Sequence, residues 1–241
     1  MKGMLYSNDI AINDKIKIHV PTIKEILDNA SEYYSEVSVF TSVPIDLMVQ
    51  LDDAGIDFRE VSEYDLFCSL FVQLMDKEES ILLKGFNIST LSVEKNEDNG
   101  DVYFYDKEND SVLDKGIYFL IADVVRKING LKKNTKKPAN DDAMKYMIER
   151  ARKKQKRALR KKKNRGETAD MENLIISLVN TAEFKYNYET VLDLTIYQFN
   201  SSLNQIIKKI RFDNLMVGCY SGFGMDTSSI KKEDLSWIKD N

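Results

Sequence analysis

The side chains that carry most enzymatic chemistry are scarce in this sequence. It has one histidine, His19, and two cysteines, Cys68 and Cys219, with no C-x-x-C spacing. That inventory supports neither a His/Cys metal site nor a Ser-His-Asp or Cys-His nucleophile. His19 falls in a strand-like segment and reads as a surface strand residue. Asp52, Asp53 and Asp57 surround Gly55 in QLDDAGIDF. Clustered carboxylates can bind a divalent cation, but the alternating ligand spacing of an EF-hand is missing, and the position at a helix end favours a structural turn. Gly218, Gly222 and Gly224 lie in GCYSGFG without the lysine and Ser/Thr of a phosphate loop, so a helix stop is the better reading. Acids are numerous, yet nothing places two of them together as an acid–base pair. The sequence therefore assigns no catalytic residue, no metal ligand and no cofactor, and the expected role is non-enzymatic.

One run has an unusual composition. Met144 to Arg165 reads MKYMIERARKKQKRALRKKKNR. Met144, Met147, Ile148 and Ala151 keep helical spacing, and then the apolar face ends. Arg150 to Arg165 holds eleven Lys/Arg and no acid. The pattern predicts a helix that leaves a folded body and becomes a basic rod. Its charged contact surface would be Arg150, Arg152, Lys153, Lys154, Lys156, Arg157, Arg160, Lys161, Lys162 and Lys163. Such a surface can meet phosphates, an acidic protein or the acidic part of another copy. Tyr146 is the one aromatic beside it, so base stacking has little support. The rod beyond Ala151 is too polar for a membrane helix.

The charge elsewhere is opposite. Residues 1–125 carry a net −15, residues 126–165 a net +15 and residues 166–241 a net −4. An acidic body with a basic arm suits docking between charged surfaces, including self-association. With 43% hydrophobic residues there is material for a real core, and ten glycines and three prolines in 241 residues argue against a loop-rich or all-β chain. The unpaired cysteines fit a reducing compartment, with Cys68 read as a buried free thiol. The first residues show no apolar signal core, and no apolar run approaches membrane-spanning length. A soluble protein of the cytoplasm is expected.

The elements that would position the rod can be read in order. KIKIHV (15–20) alternates as a strand, with Ile16, Ile18 and Val20 on one face. Thr22 and Glu25 form a capping box for a helix over about 22–35. Pro44 opens a second helix that stops at Gly55, and Ser62 caps a third through SEYDLFCSLFVQLMD. ILL, LSVE, DVYFYD and SVLD within 80–114 read as strands, with Asn99-Gly100 as a hairpin turn. GIYFLIADVVRKING is a helix ending at Gly130. Residues 131–142 form a basic linker, and Asn140 or Asp141 caps the organising helix. Asp170 opens another helix, and the Thr195–Gln198 pair caps a long one, IYQFNSSLNQIIKKIRFDNLMVGCY, which Gly218, Gly222 and Gly224 end in a loop. KEDLSWIKD suggests a last short helix docking Leu235 and Trp237. The predicted class is α+β and mainly helical. An N-terminal β-containing domain spans 1–130, a basic linker and long connecting helix 131–166, and a C-terminal helical domain 167–241.

Five segments in this order resemble a family encoded by tailed phages and prophages of Gram-positive bacteria, near their tail-building genes. They are KIKIHVPTIKEIL, TSVPIDLMVQLDDAGIDF, AMKYMIERARKKQKR, the stretch from LIISLVNT to GCYSG, and DLSWI. A β element feeding an acidic helical body is also similar to proteins that assist baseplate-hub and tape-measure assembly. The resemblance implies a tail morphogenesis protein, either an assembly chaperone or a minor tail or baseplate component. Its partners would be tape measure, hub or baseplate proteins, and its place the bacterial host cytoplasm or the virion. The alternative is a nucleic-acid-binding protein that lays residues 150–165 on phosphates.

Overall fold

The computed structural model describes residues 3–75, 77, 80–83, 87–97, 100–162, 169–221, 230 and 236–238. The fold is α+β and mainly helical, with two small antiparallel sheets. Strands β1 (Asp9–Ala11) and β2 (Lys17–His19) form a hairpin in which Ile10 faces Ile18. Its turn is closed by Asn13, whose Oδ1 accepts from the amides of Lys15 and Ile16. Ile16, Ile18 and Val20 are all fully buried, as the alternation predicts.

Helix α1 (Ile23–Asp28) starts at the expected capping box: the Glu25 amide donates to Thr22 Oγ1, and the Thr22 amide to Glu25 Oε2. The single helix expected over 22–35 is in fact two. Asn29 leaves helical geometry (φ −135°), and α2 (Ala30–Thr41) sets off from it. A 3₁₀ turn (Pro44–Leu47) leads into α3 (Met48–Asp53), which ends at Gly55 with φ +74°. Only a residue without a Cβ holds that φ at no cost, which is why the helix stops there. Ser62 caps α4 (Glu63–Phe71) by accepting from the Asp65 amide.

Strands β3 (Ser92–Lys95), β4 (Val102–Asp106) and β5 (Ser111–Leu113) make the second sheet in sequence order. Phe104 points from it into an aromatic cluster with Phe67, Phe71 and Tyr118; the Phe67 and Tyr118 rings stack at 4.3 Å. Tyr118 belongs to α5 (Lys115–Ile128), capped by Asp114. After the linker come α6 (Asp141–Lys162), α7 (Ala169–Val179) and α8 (Ile196–Tyr220). The starts of α1 and α8 are tied together: the Ile23 amide donates to the Leu194 carbonyl, and the Ile196 amide to the Pro21 carbonyl. One apolar core consequently runs from Met4 to Ile206 and takes in Ile175, Leu178, Phe184 and Phe199. The described part of the expected boundary, 131–162, is a linker and helix, and the described residues on either side of it share that core.

Three local expectations are corrected. His19 is buried, not a surface residue; its ring nitrogens lie 3.0 Å from Asp9 Oδ1 and 3.2 Å from Glu25 Oε2. Residues 81–83 form no strand. They are an irregular buried segment, with Leu82 and Leu83 fully enclosed. Cys68 is half-buried, and partial burial pushes its thiol up to about 11. Helix α8 covers the whole predicted stretch IYQFNSSLNQIIKKIRFDNLMVGCY, so Gly218 lies inside its last turn. Gly222, Gly224, Asn99 and Leu235 lie outside the described residues, while the Trp237 carbonyl accepts from Gln205 Nε2.

Candidate interaction site on the basic helix

Helix α6 begins where the sequence suggests. Asn140 Oδ1 accepts from the Ala143 amide at 2.8 Å, and Asp141 and Asp142 occupy the first turn, where acids complement the positive helix end. Its 22 residues span about 33 Å. The first half does not project freely. Ile148 is buried against Val43, Ile45, Val49 and Phe58, with Met144, Met147 and Ala151 around it. These residues form a second, smaller apolar cluster between α6 and α3. The helix therefore leaves the body where its apolar face ends, after about three turns.

Charge pins the docked half at both ends. Arg59 donates to Asp57 at 2.6 Å and to Asp141 at 2.7 Å. Those hydrogen bonds hold the Asp57 carboxyl below the usual carboxylate range. Eleven residues further on, Arg152 places Nη2 2.8 Å from Asp52 and Nη1 2.6 Å from Asp53. Two carboxylates thus share one planar guanidinium, a fit a lysine would not reproduce. The acidic C-terminal end of α3 is a receptor for α6. In the sequence Asp52, Asp53 and Asp57 read as a turn alone; paired acids in an acidic body facing a basic helix were the available signal.

Beyond Arg152 the helix is solvated. Lys153, Lys154, Lys156, Arg157 and Arg160 are exposed, as is Arg150. Lys153 has a weak pairing with Glu149 at 3.8 Å. Among the described residues, Arg150, Lys154, Lys156, Arg157 and Arg160 have no ion-pair partner. Arg150, Lys153, Lys154 and Arg157 recur at helical spacing and, with Tyr146 and Glu149, line a shallow groove of about 390 Å³. Of the predicted contact residues, Arg152 is thus spent on the body, and six form the free surface. The Lys161 and Lys162 side chains and all of Lys163 lie outside the described residues.

Arg152→Ala should loosen the root of this surface without unfolding the protein. The pair is partly exposed, so amide exchange over residues 148–156 should rise about two- to fivefold in low salt. The difference should shrink in 0.5 M salt, where screening weakens the wild-type pair. Hydrogen-exchange mass spectrometry measures both.

Other chemistry is sparse. Among the described residues, no group of three or more His, Cys, Asp or Glu is arranged to hold a metal ion. None of the described helices is long and apolar enough to cross a membrane. Residues 160–240 match the family model described as the YomV second domain. That family takes its name from a Bacillus prophage gene, which is consistent with a phage protein. The matched stretch starts at Arg160 near the end of α6 and takes in α7 and α8. No curated protein and no solved structure matches the chain.

Proposed function

We propose that this protein is a non-enzymatic phage tail morphogenesis factor, an assembly chaperone or minor tail or baseplate component, that docks acidic surfaces of other virion proteins. The observation that carries the reading is the free half of α6: a cluster of cations without internal partners, held at a set angle by a docked root. Surplus charge of one sign on an anchored helix favours fast, salt-tunable association, which suits a partner that must be held and released during assembly. The match of the C-terminal third to a prophage family supports a phage setting. In this reading the protein works in the host cytoplasm while tails are built, or stays in the virion. The cofactor-free character of the proposal follows from docking as its whole task.

The test is co-purification with tape measure, hub and baseplate proteins of the same phage, after nuclease treatment. A fivefold variant, Arg150→Gln, Lys154→Gln, Lys156→Gln, Arg157→Gln and Arg160→Gln, serves as the control. Capture of one tail protein, surviving nuclease and falling at least about tenfold in the variant, is the expected result. The specific competitor is phosphate binding, since the Arg150–Arg157 stripe could track a nucleic-acid backbone. A 260/280 nm absorbance ratio that is high at low salt and collapses at high salt, with no tail protein captured, would give that reading the place of the first.

A further inference from the structure

A second feature next to α6 has no part in the docking surface described above. The linker 131–139 lacks regular structure but is held as a strap. Lys133 Nζ pairs with Glu63 at 2.5 Å, and Asn134 Nδ2 donates to Asp46 at 2.8 Å. Between the strap and the 3₁₀ turn lies a cleft of about 590 Å³. Its floor is apolar and comes from Val43, Pro44, Ile45, Phe58 and Val61. The volume is in the range of sites that bury a small ligand or one large side chain with its neighbours.

The rim gives the cleft its sign. Lys133, Lys136, Lys137 and Arg59 line it, against one carboxylate, Glu63. Glu63 is already faced by Lys133 and, at 4.0 Å, by the buried Arg126 guanidinium. Arg59 is engaged by Asp57 and Asp141. Lys136 and Lys137 are exposed, and among the described residues neither ammonium has an acidic partner. The strap also offers main-chain donors: the Thr135 and Lys137 amides make no hydrogen bond among the described residues. Free backbone groups beside an apolar floor are what an extended peptide uses when it adds itself along a chain.

We propose that this cleft binds an acidic peptide segment of a partner protein, with one apolar side chain on the floor and its carboxylates on Lys136 and Lys137. The inference rests on the partner-docking reading and supplies it with a specific anchor. Charge on α6 alone attracts any acidic surface, whereas the cleft selects an apolar residue flanked by acids.

The probes are two fluorescein-labelled peptides, DEDLFDED and DEDSSDED, titrated against the full chain by fluorescence anisotropy. Two variants separate the sites: Lys136→Glu with Lys137→Glu on the strap, and Arg150→Gln with Lys154→Gln and Arg157→Gln on α6. All five residues are exposed, so folding is preserved. DEDLFDED should bind, should lose about tenfold in affinity in the strap variant, and should change less than about twofold in the α6 variant. DEDSSDED should bind at least about fivefold more weakly, because it leaves the floor empty. Loss of binding in the α6 variant with none in the strap variant would overturn the cleft and leave docking through α6 standing. Equal binding of the two peptides, or no binding of either, would also overturn it.

Discussion

Glu36→Ala should lower the stability of the whole protein by about 3–5 kcal/mol, the largest loss expected from any single side chain outside the aromatic cluster. Glu36 sits on the buried face of α2 with Tyr33, Val37 and Phe40, and is 1% exposed. Its carboxylate accepts from Ser80 Oγ at 2.7 Å, the Ile81 amide at 3.1 Å and the Leu82 amide at 2.9 Å. Those three donors belong to the irregular segment that replaces the expected strand. With no ladder of its own, this buried segment depends on the carboxylate to satisfy its amides. Removing the acceptor strands donors where water does not reach, and each costs more than the bond was worth.

The damage should spread to the first hairpin. The Leu82 carbonyl accepts from the His19 amide at 2.8 Å, so a displaced 80–83 segment also releases the free edge of β2. Glu36→Gln keeps one acceptor oxygen but turns an NH₂ toward the donors, and should lose roughly half as much. Urea denaturation followed by circular dichroism gives both values. For a chain of this size, the alanine variant should melt about 10 °C below wild type. A loss under about 1 kcal/mol would mean that residues 80–83 are held by packing of Leu82 and Leu83 alone.

Glu36 also marks where sequence reasoning stops. Local signals were readable because their causes are local. The Thr22–Glu25 and Thr195–Gln198 capping boxes, the Ser62 cap and the stops at Gly55 and Gly130 each depend on residues within four positions, and each stands as expected. The alternation of Ile16, Ile18 and Val20 was legible for the same reason. What failed was non-local. ILL at 81–83 has the composition of a strand, but its hydrogen-bonding partner is a carboxylate 44 to 46 residues away. An acid at the i+3 position of the apolar stripe Tyr33–Val37–Phe40 was the one visible clue.

His19 was misjudged because strand exposure depends on what covers the strand, here Asp9 on the neighbouring strand and Glu25 on α1. The candidate site divides the same way. The cation run and its helical spacing were legible. Which cations are free was not, because Arg152 is removed from the surface by a turn a hundred residues earlier. The strap cleft left no sequence signal beyond a lysine-rich linker. Its floor is assembled from the 3₁₀ turn and the Phe58–Val61 loop, and its rim joins Arg59 and Glu63 to lysines about 75 positions later.

Ile148→Asp should detach α6 from the body while leaving the main core folded. The cluster that holds the helix has few members, and Ile148 is its central contribution from α6, 6% exposed. Truncation to alanine alone would cost about 2–4 kcal/mol. A buried carboxylate costs more, since neither Val43, Ile45, Val49 nor Phe58 can pair with it. The surface ion pairs of Arg59 and Arg152 are worth too little to hold the helix against that loss. Undocking is then cheaper than burial, and the body has its own core from Met4 to Ile206 to fall back on. Amides of residues 143–156 should lose essentially all exchange protection, and those of α2, α4 and α5 should keep theirs. The variant also separates two roles of α6. If its cations act only as mobile charge, partner capture should survive undocking. If the docked root is needed to present them, capture should fall about as far as it does when the cations are neutralised. A rigid root removes ordering cost from the bound state, and on that ground the second result is the expected one.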